Sequence, residues 1–281
     1  MSVLNHKIDF VAFISATMAN SNGDPLNGNR PRTDYNGLGE ISDVCIKRKI
    51  RNRMQDMGQK IFVQSDDRSD DGCGSLSERA SSTLGKIKSR DEYAAKACET
   101  WLDVRSFGQV FAFKSNEKSG VSVGVRGPVS IHQAVSLDPV DVVSMQITKS
   151  VNGEPGEKKS SDTMGSKHFV RFGLYKLKGS INVQLAEKTG FTQEDAQVIK
   201  ACLRTLFLND ASSARPEGSM EVVKLYWFEH SCKDGQYSSA VVHRSVEAVL
   251  KEGVAVPSSA SDYQITLKPL TGLAPEILDG L

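Results

Sequence analysis

The alternation of apolar and polar residues predicts short strands and two clear helices. Residues 8–15 are apolar on both faces after Asp9, which is typical of a strand at the centre of a sheet. Five apolar residues then recur at helical spacing: Ile46, Ile50, Met54, Met57 and Ile61. Ser42 and Asp43 indicate where this helix begins, because serine caps free amide groups and an acid complements the positive end of the helix dipole.

The later part of the chain alternates like strands around a second helix. Strand patterns cover residues 121–135, 141–149, 169–185 and 220–229. Thr192 and Asp195 form a capping-box pattern for a helix with the apolar stripe Ala196, Ile199, Leu203, Leu206 and Phe207. Weaker patterns predict a helix at 93–102, a strand at 104–113 and a helix at 241–250. The order predicts an α+β fold of the ferredoxin-like or RRM type, β-α-β-β-α-β.

Two stretches interrupt this order. Residues 58–120 have little periodicity, which suggests an insertion in a smaller core domain. Residues 151–168 are rich in glycine, serine and lysine and lie between two strands, so they predict a long exposed hairpin. Residues 145–188 contain eight Lys+Arg and four Asp+Glu, so this region is locally basic.

Residues 20–53 combine a turn-rich loop with a basic helix. Residues 20–39 hold three Asn-Gly pairs and two prolines, which favour tight turns. The cations Lys47, Arg48, Lys49, Arg51 and Arg53 follow with no acid among them. A glycine loop leading into a helix with an unpaired basic face suits a phosphate backbone. The alternative interpretation is a basic face that is merely solvated.

Net charge, cysteine spacing and the length of apolar runs limit the possible partners and the cellular compartment. The 281 residues carry a net charge of only +1, so nucleic-acid binding must rest on local clustering of cations. The five cysteines are scattered without CxxC spacing, which favours reduced thiols in a cytoplasmic protein. The longest apolar run is too short for a bilayer and the first residues lack a signal-peptide pattern. We therefore expect a cytoplasmic protein with no membrane partner.

Five segments together resemble a known family. They read NSNGDPLNGNRPRTD (20–34), ISDVCIKRKIRN (41–52), DVRSFGQVF (103–111), GVRGPVSI (124–131) and SDTMGSKHFVRFGLY (161–175). In combination they resemble the crRNA-binding backbone subunit of type I-C CRISPR Cascade, a member of the RAMP superfamily. The resemblance extends from residue 8 to about residue 229.

The resemblance implies one RRM-like RAMP domain over residues 1–281. It implies a modified RRM palm, a finger-like insertion at 58–137 and a thumb hairpin at 150–168. Copies of the chain would form a helical filament along the crRNA, and each thumb would flip out one base so that the remainder pairs with target DNA. The pre-crRNA-processing subunit and the large subunit of Cascade are the other implied partners. We expect no enzyme activity, cofactor or metal.

The expected RNA contacts lie in the loop, the first helix, one turn and the thumb. They are Asn22, Arg30, Arg32, Lys47, Arg48, Lys49, Arg51, Arg126, Met164, Lys167 and His168. Met164 is the candidate wedge, because unstacking a base needs an apolar tip supported by phosphate contacts. Core filling is the alternative for Met164, and a solvated turn is the alternative for Arg126.

Two other functions remain open at this stage. Related type III backbone subunits cut target RNA with an aspartate on the loop after the first strand. Asp24 or Asp34 would therefore make the chain a metal-dependent ribonuclease, although aspartate is also an ordinary turn former. A scaffold that binds only protein is the third hypothesis.

Overall fold

The structure is a computed structural model that describes residues 2–85, 87, 89–112, 122–148 and 164–281. The helices in these ranges are α1 (Asp43–Asp56), α2 (Leu76–Leu84), α3 (Arg90–Thr100), α4 (Leu102–Phe107), α5 (Val183–Thr189), α6 (Gln193–Arg204) and α7 (Ser239–Ser245). The strands are β1 (Ile8–Ala19), β2 (Gly23–Asp24), β3 (Arg30–Pro31), β4 (Leu38–Ile41), β5 (Gly108–Phe111), β6 (Val123–Arg126), β7 (Val129–Ile131), β8 (Ala134–Pro139), β9 (Val142–Thr148), β10 (Met164–Ile181), β11 (Met220–Glu229), β12 (Val246–Leu250), β13 (Tyr263–Leu267) and β14 (Glu276–Asp279). Within the described ranges, every helix is too short or too polar to cross a membrane.

A large antiparallel sheet organises the fold. Its strand order is β14-β11-β1-β10-β8-β4, and β7 and β9 also pair with β10. β1 lies between β10 and β11 and is antiparallel to both. The prediction of a central first strand is confirmed, and the fold is α+β as the pattern predicts.

The helices α1 and α6 cover one face of this sheet. Ile46 and Ile50 from α1, Ile199 and Leu203 from α6, and Phe10 from β1 are buried in one cluster. The four helical residues belong to the two apolar stripes that the spacing predicts. The stripe of α1 is shorter than expected, because the helix ends at residue 56 and the last two predicted positions lie beyond it.

Both predicted helix starts are confirmed. The Ser42 side chain accepts a hydrogen bond from the backbone N–H of Cys45 at the start of α1. At the start of α6, the Thr192 hydroxyl accepts from the N–H of Asp195, and the Asp195 carboxylate accepts from the N–H of Thr192. Each contact satisfies an amide that the helix itself leaves without a partner.

The C-terminal part of the chain covers the opposite face of the sheet. Val242 and Val246 at the α7–β12 junction, together with Tyr263 of β13, pack on Val11 and Phe13 of β1. The sequence pattern does not predict this second layer, since residues beyond 253 show little periodicity. The sheet is therefore packed on both faces.

A buried polar cluster fastens the C-terminal segment to β1. Asp9 is fully buried, and its carboxylate lies 2.9 Å from His230 Nε2 and 3.1 Å from Lys7 Nζ. Burial raises the pKa of Asp9, but hydrogen bonds from His230 and Ser239 and the charge of Lys7 outweigh it, so the pKa lies below its usual value. Asp9 is therefore an ionised anchor for the segment that follows β11.

The insertion after α1 has a hydrophobic core of its own. The rings of Phe62, Trp101 and Phe111 contact one another with centroids 4.7 to 6.4 Å apart. The buried Arg79 guanidinium donates to the carbonyl oxygen of Phe62 and pairs with Asp71. The last residues of the predicted finger are not part of this separate core. Residues 129–131 and 134–137 lie in β7 and β8 of the main sheet.

Two predicted elements differ from the structure. Residues 104–113 are predicted as strand, but residues 102–107 form α4 and only residues 108–111 form β5. Gly108 separates them at φ 81°, where an added Cβ would lie 2.3 Å from the carbonyl oxygen of Val125. The predicted helix 241–250 is helical only as far as Ser245, the end of α7, and residues 246–250 form β12 instead. Lys176 Nζ donates to the carbonyl oxygens of His243 and Val246 at this junction.

The hairpin region also differs from the predicted order. Residues 141–149 are predicted as a strand before the long hairpin. They contain β9, which pairs with the outer end of β10, while β7 and β8 pair with its inner end. Residues 150–163 of the predicted thumb lie outside the described residues. The remaining thumb residues, 164–168, form the first part of β10.

Candidate nucleic-acid interface

Residues 20–32 form a compact loop at the end of β1. Asn29 adopts a left-handed conformation with φ 59°, and its carbonyl oxygen accepts a 2.6 Å hydrogen bond from Asn20 Nδ2. The N–H of Arg32 donates to the carbonyl oxygen of Asn22 at 2.9 Å. These bonds hold the reversal between β2 and β3 and leave the Leu26 side chain almost fully exposed at its tip.

Buried contacts fasten this loop to the sheet and to α1. The hydroxyls of Ser21 and Tyr175 are both buried and lie 3.1 Å apart. Burial raises the pKa of Tyr175 to about 12, so its hydroxyl stays protonated. Asn22 Oδ1 accepts a 2.9 Å hydrogen bond from the N–H of Ser42, the residue that caps α1. The predicted RNA contact Asn22 is therefore engaged in joining the loop to the helix.

Four of the five predicted helix cations are paired with the protein's own carboxylates. The pairs are Lys47–Asp43, Lys49–Asp210, Arg51–Asp103 and Arg53–Asp56. Lys49 is only 4% exposed, and the Arg51 guanidinium also stacks over the ring of Phe107. The expectation of an unpaired basic face on α1 is wrong, because the fold brings Asp103 and Asp210 to the helix from distant parts of the chain.

Arg48 is the helix cation without a carboxylate partner among the described residues. Its Nη1 donates to the carbonyl oxygen of Val63 at 2.8 Å, and the residue is half-buried. Burial first and the neighbouring Arg51 second lower the pKa of Arg48. Lys47 is also partly accessible, with 26% of its side chain exposed. Lys47 and Arg48 are therefore the helix cations that we consider further as ligand contacts.

The hairpin of β9 and β10 presents two different faces. Directly opposed residues in an antiparallel pair share a face, and successive residues alternate. One face carries the pairs Ser144/His168, Gln146/Ser166 and Thr148/Met164, and the other carries Met145/Lys167 and Ile147/Gly165. Met164 is 57% exposed at the end of the first face.

The structure brings Arg30 of the loop to the polar face of this hairpin. Arg30 Nη1 lies 2.6 Å from Ser144 Oγ, and Ser144 Oγ lies 3.0 Å from His168 Nδ1. Three of the predicted residues, Arg30, His168 and Met164, are therefore on one surface. Lys167 is on the opposite face of the hairpin, beside Met145.

Arg32 and Arg126 take no part in the contact between Arg30, Ser144 and His168. The Arg32 guanidinium is 3.3 Å from the Asp24 carboxylate on the neighbouring strand. Arg126 is exposed at the end of β6, where that strand pairs with Gly108 of the insertion. The structure does not place Arg126 next to the loop or the hairpin.

Both loop aspartates hold turns. Asp24 Oδ1 accepts from the N–H of Leu26 and pairs with Arg32. Asp34 Oδ1 accepts 2.8 Å hydrogen bonds from the N–H groups of Asn36 and Leu38. These contacts match the turn-forming role that aspartate has in such sequences.

Sequence reasoning missed several residues that organise this surface. Ser144 links the loop to the hairpin, and no local signal distinguishes it from Gln146 and Thr148, the other polar residues of the same strand. Arg215 bonds to Asp210 at 3.2 Å and lies next to the carbonyl oxygen of Asn20. The sequence offers no local signal for Asp103 or Asp210, because their partners are far away in the chain.

The sequence and structure comparisons both find CRISPR-associated proteins. The family model described as "CRISPR-associated protein Cas7" matches residues 6–268. A protein of Haloferax volcanii described as "CRISPR-associated protein Cas7" is 26% identical over 227 residues, which is 73% of this chain and 65% of that protein. The matched part thus spans slightly less than two thirds of that relative.

A solved structure has a similar fold. A chain of a structure described as "CRISPR RNA-guided surveillance complex, pre-nicking" superposes with a TM-score of 0.51 and 17% sequence identity. The similarity covers 89% of this chain and 84% of that chain.

Proposed function

The chain belongs to the Cas7 family of CRISPR-associated proteins, and from this premise we propose that it is a crRNA-binding backbone subunit of a type I-C Cascade complex. Copies of the chain assemble along the guide RNA and present it for pairing with target DNA. The pre-crRNA-processing subunit and the large subunit complete the complex. The chain itself catalyses no reaction.

The observation that carries this proposal is the surface shared by the loop and the hairpin. Arg30 and His168 lie side by side through Ser144, and Met164 is exposed farther along the same face. A cation, hydrogen-bond donors and an apolar tip are what a protein needs to hold a phosphate backbone and separate adjacent bases. Contacts to phosphates suit a subunit that must accept any guide sequence.

We assign the guide to this surface and the accessible part of α1. Arg32 of the loop and Lys47 and Arg48 of α1 are partly exposed and are suited to phosphates. Lys49 and Arg51 have buried carboxylate partners, so their first role is to hold α1 against the rest of the protein. Lys167 and Arg126 remain predicted contacts at separate places.

We infer that the palm is a modified RRM. The order β11-β1-β10-β8, with α1 between β1 and β8 in sequence and α6 between β10 and β11, supports this topology. The described part of residues 58–137, with its own aromatic cluster, supports a finger. The thumb is assigned to the segment that joins β9 and β10.

The ribonuclease hypothesis is the alternative. A metal-dependent nuclease needs an aspartate free to bind the ion, whereas Asp24 and Asp34 accept hydrogen bonds from their own turns. Incubating the assembled complex with complementary RNA and magnesium separates the two functions. Regularly spaced cuts that disappear in Asp34→Ala would favour the nuclease.

Salt-dependent RNA binding tests the main proposal. Binding of the purified chain to two unrelated single-stranded RNAs is measured from 50 to 200 mM salt, after the 260/280 nm absorbance ratio has shown whether RNA copurifies. We expect similar affinities for both RNAs and a log–log slope of about −0.7 for each phosphate contact. Absence of RNA in the complex, or binding of only one sequence, would contradict the proposal and favour a protein scaffold or a sequence-specific binder.

A further inference from the structure

The geometry points to a discrete seat for one backbone phosphate, formed by Arg30, Ser144 and His168. This inference rests on the proposed function and makes it more specific, because it names a single contact and the residue that holds it together. Ser144 has no role in the predicted set of RNA contacts. It is exposed on β9, midway between a cation from the loop and an imidazole from β10.

The hydrogen bonds among the three residues leave some of their donors unused. Arg30 Nη1 donates to Ser144 Oγ at 2.6 Å, so the hydroxyl proton of Ser144 is free to donate to His168 Nδ1 at 3.0 Å. With Nδ1 as acceptor, the neutral imidazole carries its proton on Nε2. The guanidinium has five N–H groups, and this contact uses one of them. Arginine and histidine donors therefore remain available beside one another.

The seat has a positive charge without a counterion in the part of the chain that the structure describes. Among the described residues, no carboxylate lies within 4.0 Å of Arg30 or His168. Asp24 is opposite Arg30 in the β2–β3 pair, but its carboxylate is engaged by Arg32 and a backbone amide. Asp141, just before β9, pairs with Arg171. The cations of α1, in contrast, are mostly neutralised by the protein itself.

The chemistry and position favour a phosphate of a nucleic-acid strand. A forked guanidinium matches the paired oxygens of a phosphate and is positioned here by a fixed hydroxyl. His168 and Met164 are on the same face of β10, four residues and about 13 Å apart. A strand seated at Arg30 therefore continues along Ser166 and Gln146 toward the exposed methionine.

Two single variants and a matched control test this seat in the full-length chain. Arg30→Gln removes the cation, and Ser144→Ala removes only the linking hydroxyl. Lys233→Gln is the control, because it also removes one exposed positive charge but lies on the loop after β11, at the opposite end of β1. Affinity for a mixed-sequence single-stranded RNA is measured by fluorescence anisotropy between 50 and 200 mM salt.

We expect Arg30→Gln to reduce the magnitude of the salt slope by about 0.7. The ratio of wild-type to variant affinity then changes by about 2.6-fold across the fourfold range of salt, which is 4 raised to the power 0.7. Ser144→Ala should weaken binding without changing the slope, and should have no further effect when combined with Arg30→Gln. Thermal midpoints of all variants should match the wild type.

The outcomes separate this inference from the proposed function. Salt-dependent binding by the wild type, together with equal slopes for Arg30→Gln and Lys233→Gln, would overturn the seat alone. An Arg30 effect without any Ser144→Ala effect would overturn the linking role of the hydroxyl and hence the seat. Failure of the wild type to bind RNA in a salt-dependent way would overturn the proposed function itself.

Discussion

Replacing Asp103 should destabilise the protein strongly, because this carboxylate joins α1 to the insertion. It is fully buried and accepts from the backbone N–H groups of Phe62 at 2.6 Å and Val63 at 3.0 Å. It also accepts from Arg51 Nε at 3.0 Å. Asp103→Ala leaves all three donors unsatisfied and one of them charged.

The expected loss follows from the burial of the pair. Removing one partner of a buried ion pair lowers the free energy of unfolding by about 3 to 5 kcal/mol, chiefly because the other charge stays buried without compensation. The Arg51 side chain is 12% exposed, so little solvent can replace the carboxylate. The exposed pair Arg171–Asp141, with more than 60% of each side chain exposed, should contribute below about 1 kcal/mol.

Urea unfolding of Asp103→Ala, with Asp141→Ala as the control, measures both values. The double variant Asp103→Ala/Arg51→Met should lose less stability than the sum of its single variants, because each single change removes the same interaction. A loss below 1 kcal/mol for Asp103→Ala, or strict additivity in the double variant, would refute this explanation. Arg51 would then be free to serve an external ligand.

Three further predictions concern other buried positions. Gly39→Ala should lower the free energy of unfolding, measured in urea, by about 1 to 3 kcal/mol. The reason is that the new methyl group would lie 2.6 Å from the buried Tyr175 hydroxyl. An unchanged free energy would show that the Tyr175 ring can move. Burial raises the pKa of the Cys202 thiol to about 12. Iodoacetamide at pH 8 should therefore alkylate the exposed Cys232 and modify Cys202 only after unfolding. Mass spectrometry of the peptides measures both modifications. The lowered pKa of Asp9 means that its ionisation stabilises the fold above the unfolded-state value of about 3.9 and that this contribution is lost as the pH falls through the folded-state pKa. The stability advantage of the wild type over Asp9→Asn, measured in urea, should thus shrink as the solution is acidified below about pH 4; an advantage that does not shrink there would contradict the anchor.

Local sequence signals predict the core elements well where the signal is contained in one segment. The capping contacts of Ser42 and Thr192, the apolar stripes as far as Met54 and Leu203, and the central position of β1 depend on neighbouring residues and are confirmed. The strand 220–229 has the predicted bounds. The C-terminal layer is not predictable in this way, because its strands are short and their pattern is set by packing on β1.

The candidate surface is only partly predictable for the same reason. A run of cations without nearby acids suggests an unpaired face, but Lys49 finds Asp210 and Arg51 finds Asp103 only after the chain has folded. The contact between Arg30 and Ser144 joins residues 114 positions apart. Charge along the sequence therefore indicates which segments are basic, whereas tertiary structure decides which side chains are left for a ligand.

The layer formed by α7, β12 and β13 determines whether a nucleobase can stack on the sheet. An open RRM sheet offers its aromatic side chains as a platform on which bases lie flat. Here the C-terminal residues cover Phe13, Tyr226 and Phe228, and these rings pack between the sheet and the C-terminal layer. Exchanging these rings for aliphatic side chains of similar volume should disturb packing and leave ligand affinity untouched. The part of the sheet that the C-terminal layer covers therefore has no aromatic platform on which a base could lie.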